Sequence, residues 1–235
     1  MLKQILFKLL KPSLIANSHS QAGEDRIVDF LFNTMGIKKI NYLDIGANDP
    51  KFCNNTYLFY CKGGKGILIE PDPVFKKVLQ KSRPKDKVIE AAISDKENGE
   101  ADFYIFDEPS INTLSKEEAT LRQQSGKYHL KEIKRIPLVT IENIIVNHFD
   151  AIVPHLISLD VEGVDFAVLQ AFDYAKYPVP VWIVETCEYS ENHIKPKITS
   201  IIELMLGKGY FVYGDTYVNT IFVHNDWFNN YAVNR

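Results

Sequence analysis

Four apolar runs in this chain end on an acid: YLDIG carries Asp44, GILIE carries Glu70, HLISLD carries Asp160 and VPVWIVET carries Glu185. A carboxylate at the tip of a buried strand is costly unless something binds it. Such groups can accept hydrogen bonds from hydroxyls, attract a cation, take a proton as a general base, or hold a hard divalent ion. Glu70 stands twenty-four residues after Gly46, the offset at which an acid on the second strand reaches both hydroxyls of a ribose. Dinucleotide enzymes share that offset with enzymes using S-adenosylmethionine, and the first turn separates them. A pyrophosphate needs close backbone approach at several glycines. Here Gly46 is followed by Ala47, Asn48, Asp49 and Pro50, so the glycines are missing and one N–H is lost to proline. An adenosine donor without phosphates, bearing a sulfonium and an amino-acid zwitterion, suits a polar turn with acids nearby. Asp44 would face its ammonium or an ordered water.

These acids need strands to hold them. INYLDIG and GILIE read as buried strands, KVIEAAIS as a third, HLISLD and VPVWIVET as later ones, with ADFYIF and IKRIPLVTI as further extended segments. Helical spacing runs from Glu24 to Met35 with Gly36 as a left-handed stop, through NNTYLFYCKGG, and from Asp72-Pro73 to a breaker at Pro84, where aspartate caps and proline fits the first turn. IENIIVNHF, VDFAVLQAFDYA and ITSIIELMLGKG complete the helices, and FVYGDTYVNTIFVH reads as a hairpin. Strand and helix alternate, which predicts an α/β fold: a mostly parallel sheet with helices on both faces and an antiparallel hairpin strand at its end. In such sheets ligands bind at the carboxyl ends of the strands.

The chain has 235 residues and a net charge of -3, which argues against nucleic acid as a main partner. Cys53, Cys61 and Cys187 match neither a disulfide framework nor a zinc site, and a cytoplasmic location is expected. Residues 1–17 read as an amphipathic helical extension, with Leu2, Ile5, Leu6, Leu9 and Leu10 on one face. It would dock on its own domain or on a second subunit of a homodimer, or touch the inner membrane face weakly. Residues 18–235 are expected to form one domain with a charged insertion near 116–135.

The blocks SQAGEDRIVDFLF, YLDIGANDPKFCNNTYLFY, GILIEPDP, RPKDKVIEAAISD, SINTLS and ISLDVEGVDFAVL, in that order over roughly residues 18 to 190, resemble the FkbM family of S-adenosylmethionine-dependent methyltransferases. The resemblance implies a class I methyltransferase fold with a seven-stranded sheet, and methyl transfer to an oxygen of a sugar or natural-product hydroxyl. It also implies donor contacts at Asp44, Gly46 and Asn48, at Glu70 on the ribose and at Ala92 beside the adenine. Gln21 would approach the amino-acid end, with Asn55 and Thr56 shaping the same wall. The chain departs from the family at Gly63, Gly64 and Lys65, where a glycine-tryptophan pair is common.

A sugar hydroxyl needs its proton managed. Metal assistance is the favoured route, with Asp160 and Glu185 as Mg²⁺ or Mn²⁺ ligands and Glu162 as a third; the alternatives are a base, with His193 the candidate, and positioning alone. Each has a duller reading: Asp160 as a helix cap, Glu185 as a strand end, His193 as a loop histidine. Asn112 and Thr113 in the SINTLS block are candidate substrate contacts. Residues 116–135 read either as a solvated helix pair or as a lid whose Arg122 and Lys127 meet phosphates of an activated sugar. The expected acceptor is a nucleotide-activated sugar or a surface-glycan or capsule precursor. The competing readings are an NAD-binding protein of sugar metabolism and a non-catalytic relative.

Overall fold

The structure is a computed structural model, and it describes residues 18–96, 99–108, 111–161, 163–187 and 196–233. The expected amphipathic helix at 1–17, Glu162 and His193 lie outside the described residues.

The main sheet is built from β1 (Asn41–Ile45), β2 (Lys65–Ile69), β3 (Lys87–Ile89), β7 (Leu156–Leu159), β8 (Val181–Glu185), β9 (Tyr210–Asp215) and β10 (Asn219–His224), in the order β3-β2-β1-β7-β8-β10-β9. All neighbours are parallel except β10, which is antiparallel to β8 and β9. This is the class I methyltransferase arrangement expected from the sequence. The order reverses beside β1, so its carboxyl end adjoins a crevice. Parallel strands buried on both faces need apolar residues on both. Leu43 and Ile45 of β1 pack with Ile141, Ile144, Leu169 and Met205, whereas Tyr42 packs with Leu31, Phe59 and Leu79 on the other face.

The helices are α1 (Glu24–Thr34), α2 (Tyr57–Cys61), α3 (Pro73–Ser82), α4 (Lys116–Gln124), α5 (Ile141–His148), α6 (Asp165–Ala171), α7 (Thr199–Gly207) and α8 (Asn225–Val233). The sequence signals hold at α1, where Gly36 takes φ 74, and at α3, where the Asp72 Oδ1 accepts from the Val74 N–H at 2.6 Å and Pro73 opens the first turn.

A second sheet, β4-β6-β5, joins β4 (Ala92–Ile93), β5 (Gly99–Phe106) and β6 (Leu130–Val139). It corrects two expectations. KVIEAAIS is not one strand, because the chain leaves the main sheet after Ile89 and pairs Ala92 and Ile93 with Leu138 and Val139. Residues 116–135 are not a helix pair: α4 ends at Gln124, and from Leu130 the chain is strand, held by ladder pairing with β5 rather than by an apolar pattern of its own. Helix α8 was not expected. Its Trp227 and Phe228 pack on Phe32 and Phe211, and that contact stabilises a segment of low helix propensity.

Candidate active site

A cavity of about 330 Å³ opens at the carboxyl ends of β1, β2 and β7. Its floor is the turn after β1. Gly46 takes φ 79, and a Cβ there would fall 1.9 Å from the Asp160 carbonyl oxygen, so only glycine lets the ends of β1 and β7 close on each other. Asn48 follows at φ 44, a left-handed conformation that asparagine tolerates better than most residues.

Glu70 stands on one side of the floor, 5% exposed. Its Oε2 accepts from the Asn48 N–H and its Oε1 from the Asp72 N–H, each at 2.8 Å. Each oxygen therefore keeps acceptor capacity toward the cavity. Burial pushes its carboxyl up to about 7, with Asp72 and Asp44 adding to the rise and the two N–H groups opposing it. Beyond Glu70 the wall turns apolar at Ala91, Ala92, Ile93 and Phe103, a slot suited to a flat base. Asn112 and Thr113 line this same end. The Asn112 amide donates to Asp72 Oδ2 at 2.6 Å and its Oδ1 accepts from the Phe106 N–H, which ties the second sheet to α3.

Asp160 lines the opposite end and is hydrogen-bonded to the Glu185 side chain. It is exposed to the cavity yet ringed by protein. That burial raises its carboxyl above the ordinary range; Glu185 opposes the rise and the Asp44 charge adds to it. The two acids thus meet as a carboxyl pair able to hold one proton between them. Among the described residues no group of three His, Cys, Asp or Glu side chains converges to hold a metal ion.

Other expected residues lie off this wall. Asp44 is buried beneath the turn, where its Oδ2 accepts from Thr56 Oγ1 at 2.6 Å and Asn54 Nδ2 at 3.2 Å and lies 3.6 Å from the Arg83 guanidinium. Burial raises its carboxyl, and Arg83 opposes that. Asn55 donates to Ser158 Oγ at 3.1 Å, and Gln21 is exposed. Arg122 donates to the Ile111 carbonyl and pairs with Glu118 at 2.8 Å, and Lys127 lies over the Tyr128 ring.

Sequence reasoning missed Arg83, which is fully buried. Its Nε pairs with Asp86 at 2.8 Å, its NH1 donates to Asn54 Oδ1 at 3.1 Å and its NH2 to Thr56 Oγ1 at 2.9 Å. Burial works against its charge, and Asp44, Tyr42 and Asp86 outweigh that and hold it protonated. An arginine at the end of a helix ordinarily faces water, so nothing in its position marked it. Asn54 and Phe52 were likewise missed: the Asn54 amide donates to the carbonyls of Ala47 and Asp49, both at 3.2 Å, and Phe52 stands on the cavity rim.

Among solved structures the chain is similar to a TehB-like S-adenosylmethionine-dependent methyltransferase from Corynebacterium glutamicum (9% identity, 94% of this chain and 97% of that one, TM-score 0.43). It is also similar to a putative caffeoyl-CoA O-methyltransferase from Staphylococcus aureus (8%, 93% and 90%, 0.47) and to an O-methyltransferase from Bacillus cereus in complex with S-adenosylhomocysteine (14%, 94% and 88%, 0.42). No curated protein matches the chain. A family model described as the methyltransferase FkbM domain matches residues 44–212, from the acid at the tip of β1 into β9. The match takes in β2, β7 and the last two residues of β1 around the cavity and well over half of the sequence, and the chain therefore belongs to the FkbM methyltransferase family.

Proposed function

We propose that the protein transfers a methyl group from S-adenosylmethionine to a hydroxyl of a sugar-containing acceptor. The observation that carries this reading is the division of labour along one cavity, with Glu70 beside an apolar slot at one end and the Asp160–Glu185 pair at the other. The chain's own residues fit the donor. Glu70 has acceptor capacity for two ribose hydroxyls, Ala91 to Ile93 and Phe103 offer apolar contact to a purine, and the Gly46 turn forms the floor between them and Asp160. Bound S-adenosylmethionine supplies a methyl on a cationic sulfur, which favours a site walled by carboxylates.

At the other end the pair manages the acceptor proton. The pair already shares one proton, so its remaining carboxylate would take the O–H proton as the acceptor oxygen is methylated, and one of the two protons would then pass to water. The burial that raises Asp160 makes it a better base than a free aspartate. Of the three expected metal ligands, Glu162 lies outside the described residues, and no step is routed through a metal.

The test is release of S-adenosylhomocysteine with a panel of glycosides and glycan fragments, with and without EDTA, with product mass reading the acceptor. Wild-type protein is expected to give a product heavier by one methyl. Asp160→Asn is expected to lose turnover by roughly 10²–10⁴-fold while donor affinity stays within about threefold. EDTA-sensitive turnover restored by Mg²⁺ or Mn²⁺ would replace the carboxyl-pair route by metal assistance. Full turnover in Asp160→Asn would overturn the role of the pair, and methyl found on nitrogen or carbon would overturn the oxygen reading.

A further inference from the structure

Phe52 lines the cavity and is nevertheless 76% exposed. An aromatic ring of that size forgoes its burial when it is held in water, and the loop carrying it is built to hold it there. Asp49 Oδ1 accepts from the backbone N–H groups of Lys51 and Phe52, each at 2.8 Å. The Asn54 amide grips the loop from below through the carbonyls of Ala47 and Asp49. Asn48 and Cys53 flank it at φ 44 and φ 50, left-handed values that non-glycine residues adopt at a cost, and Pro50 is buried between them. Backbone held in this way at a cavity rim is preorganised for a ligand. The loop starts from the Gly46 turn, which lies against the Asp160 carbonyl, and ends at Asn55, whose Nδ2 donates to Ser158 Oγ of β7 at 3.1 Å, so it closes on the β7 side of the cavity, where Asp160 stands. Burial, together with the charges of Asp49, Glu24 and Asp160, pushes the Cys53 thiol up.

We propose that Phe52 is the platform of the acceptor subsite, and that the acceptor presents an uncharged pyranose ring there, its C–H face on the phenyl and its hydroxyls toward Asp49 and Asp160. The proposal rests on the methyl-transfer reading above and deepens it. A pyranose combines an apolar face with a rim of O–H donors, and the rim of this cavity combines an aromatic face with carboxylate acceptors. Among the described residues Asp49 Oδ2 makes no hydrogen bond, so it is available to such a donor. A phosphate would face the negative charge of Asp49 and Asp160, and no Lys, Arg or His is among the described residues of the wall. A glycan ring without phosphate at the methylated end is therefore favoured over a sugar that carries its phosphate there.

The test uses full-length protein saturated with S-adenosylhomocysteine. Saturation-transfer NMR titrations are run with methyl α-glucopyranoside, methyl N-acetylglucosaminide and glucose 1-phosphate on wild type, Phe52→Ala and Phe52→Trp. Expected are ring C–H signals from at least one neutral pyranoside and roughly tenfold weaker binding to Phe52→Ala. Phe52→Trp should stay within about threefold of wild type, and glucose 1-phosphate should bind about tenfold more weakly than the neutral sugar. Calorimetry of S-adenosylhomocysteine should give the same affinity for all three proteins. No neutral pyranoside bound by wild type, equal binding to Phe52→Ala, or tighter binding of the sugar phosphate would each overturn the proposal. Failure of wild type to bind S-adenosylhomocysteine would instead overturn the methyl-transfer reading on which it rests.

Discussion

Glu70 couples the donor site to pH. Its carboxyl stands at about 7 in the donor-free protein against an ordinary 4.5, because burial penalises the charged form more than the two backbone N–H groups favour it. The folded protein therefore binds the Glu70 proton more tightly than the unfolded chain. That contribution is fully present below the unfolded value and is lost as pH rises through about 7, a fall of about 3 kcal/mol across the window. Ribose hydroxyls donate to the ionised form, so donor binding has the opposite dependence: affinity should rise with pH up to about 7 and level off above it. Calorimetry of S-adenosylhomocysteine at pH 6.5, in buffers of different ionisation enthalpy, should detect proton release on binding. Glu70→Gln should abolish that release and weaken binding by roughly 10–100-fold, since a charge-assisted hydrogen bond is lost and an amide NH₂ is set against a backbone N–H. Proton uptake, or unchanged affinity in Glu70→Gln, would place the ribose elsewhere.

At the scale of elements, Arg83 decides whether the turn after β1 has a fixed shape. It joins the end of α3 to Asp86, to the Asn54–Thr56 segment and, through Asp44, to β1 itself. Asp86 in turn accepts from the Tyr42 hydroxyl and from the Gly66 N–H at 2.8 Å, so the same knot reaches β2. Arg83→Met keeps much of the volume and strands two buried carboxylates, which should cost about 3–5 kcal/mol in urea unfolding. Adding Asp44→Asn should recover part of that loss, because the two changes share one network. Donor affinity should fall in Arg83→Met, since Asn54 would no longer be held against the turn carbonyls. This knot also shows where the sequence is legible and where it is not. The strand tips, the Gly46 turn and the Asp72 cap follow local rules of period, conformation and capping, and each could be read in advance. Arg83 acquires its role only when α3, β1 and the Asn54 loop meet in space, and no local signal encodes that meeting. The split of KVIEAAIS has the same origin: its residues favour strand throughout, and the choice between two sheets is made by Leu138 and Val139, almost fifty residues away. Asp44 shares its strand-tip position with the other three acids. The period-two alternation of β1 turns it to the face opposite Ile45, toward Arg83, and only the packing of α3 shows that this face is not the cavity.

At the scale of the molecule, the seven-stranded sheet with β10 inserted antiparallel between β8 and β9 leaves one crevice where the strand order reverses, and the cavity lies there. No helix among the described residues is long and apolar enough to cross a membrane. Whole-molecule stability is the simplest reporter of what the crevice accepts, because a ligand that binds only the folded state stabilises it by RT ln(1 + [L]/Kd). S-adenosylhomocysteine at one hundred times its Kd should add about 2.7 kcal/mol, which for a domain of this length raises the unfolding midpoint by roughly 5–10 °C. NAD at the same concentration should leave the midpoint unchanged: its pyrophosphate would meet Asn48, Asp49 and Pro50 where close backbone approach is required, and it would lie near the Asp160 carboxylate. Repeating the scan with Phe52→Ala separates the two ends of the cavity. That variant should keep the full shift from S-adenosylhomocysteine, because its side chain is assigned to the acceptor, whereas Glu70→Gln should lose most of it. A shift from NAD equal to that from S-adenosylhomocysteine would mean that the turn tolerates a pyrophosphate, and the choice of donor would then have to be made again from the acceptor end.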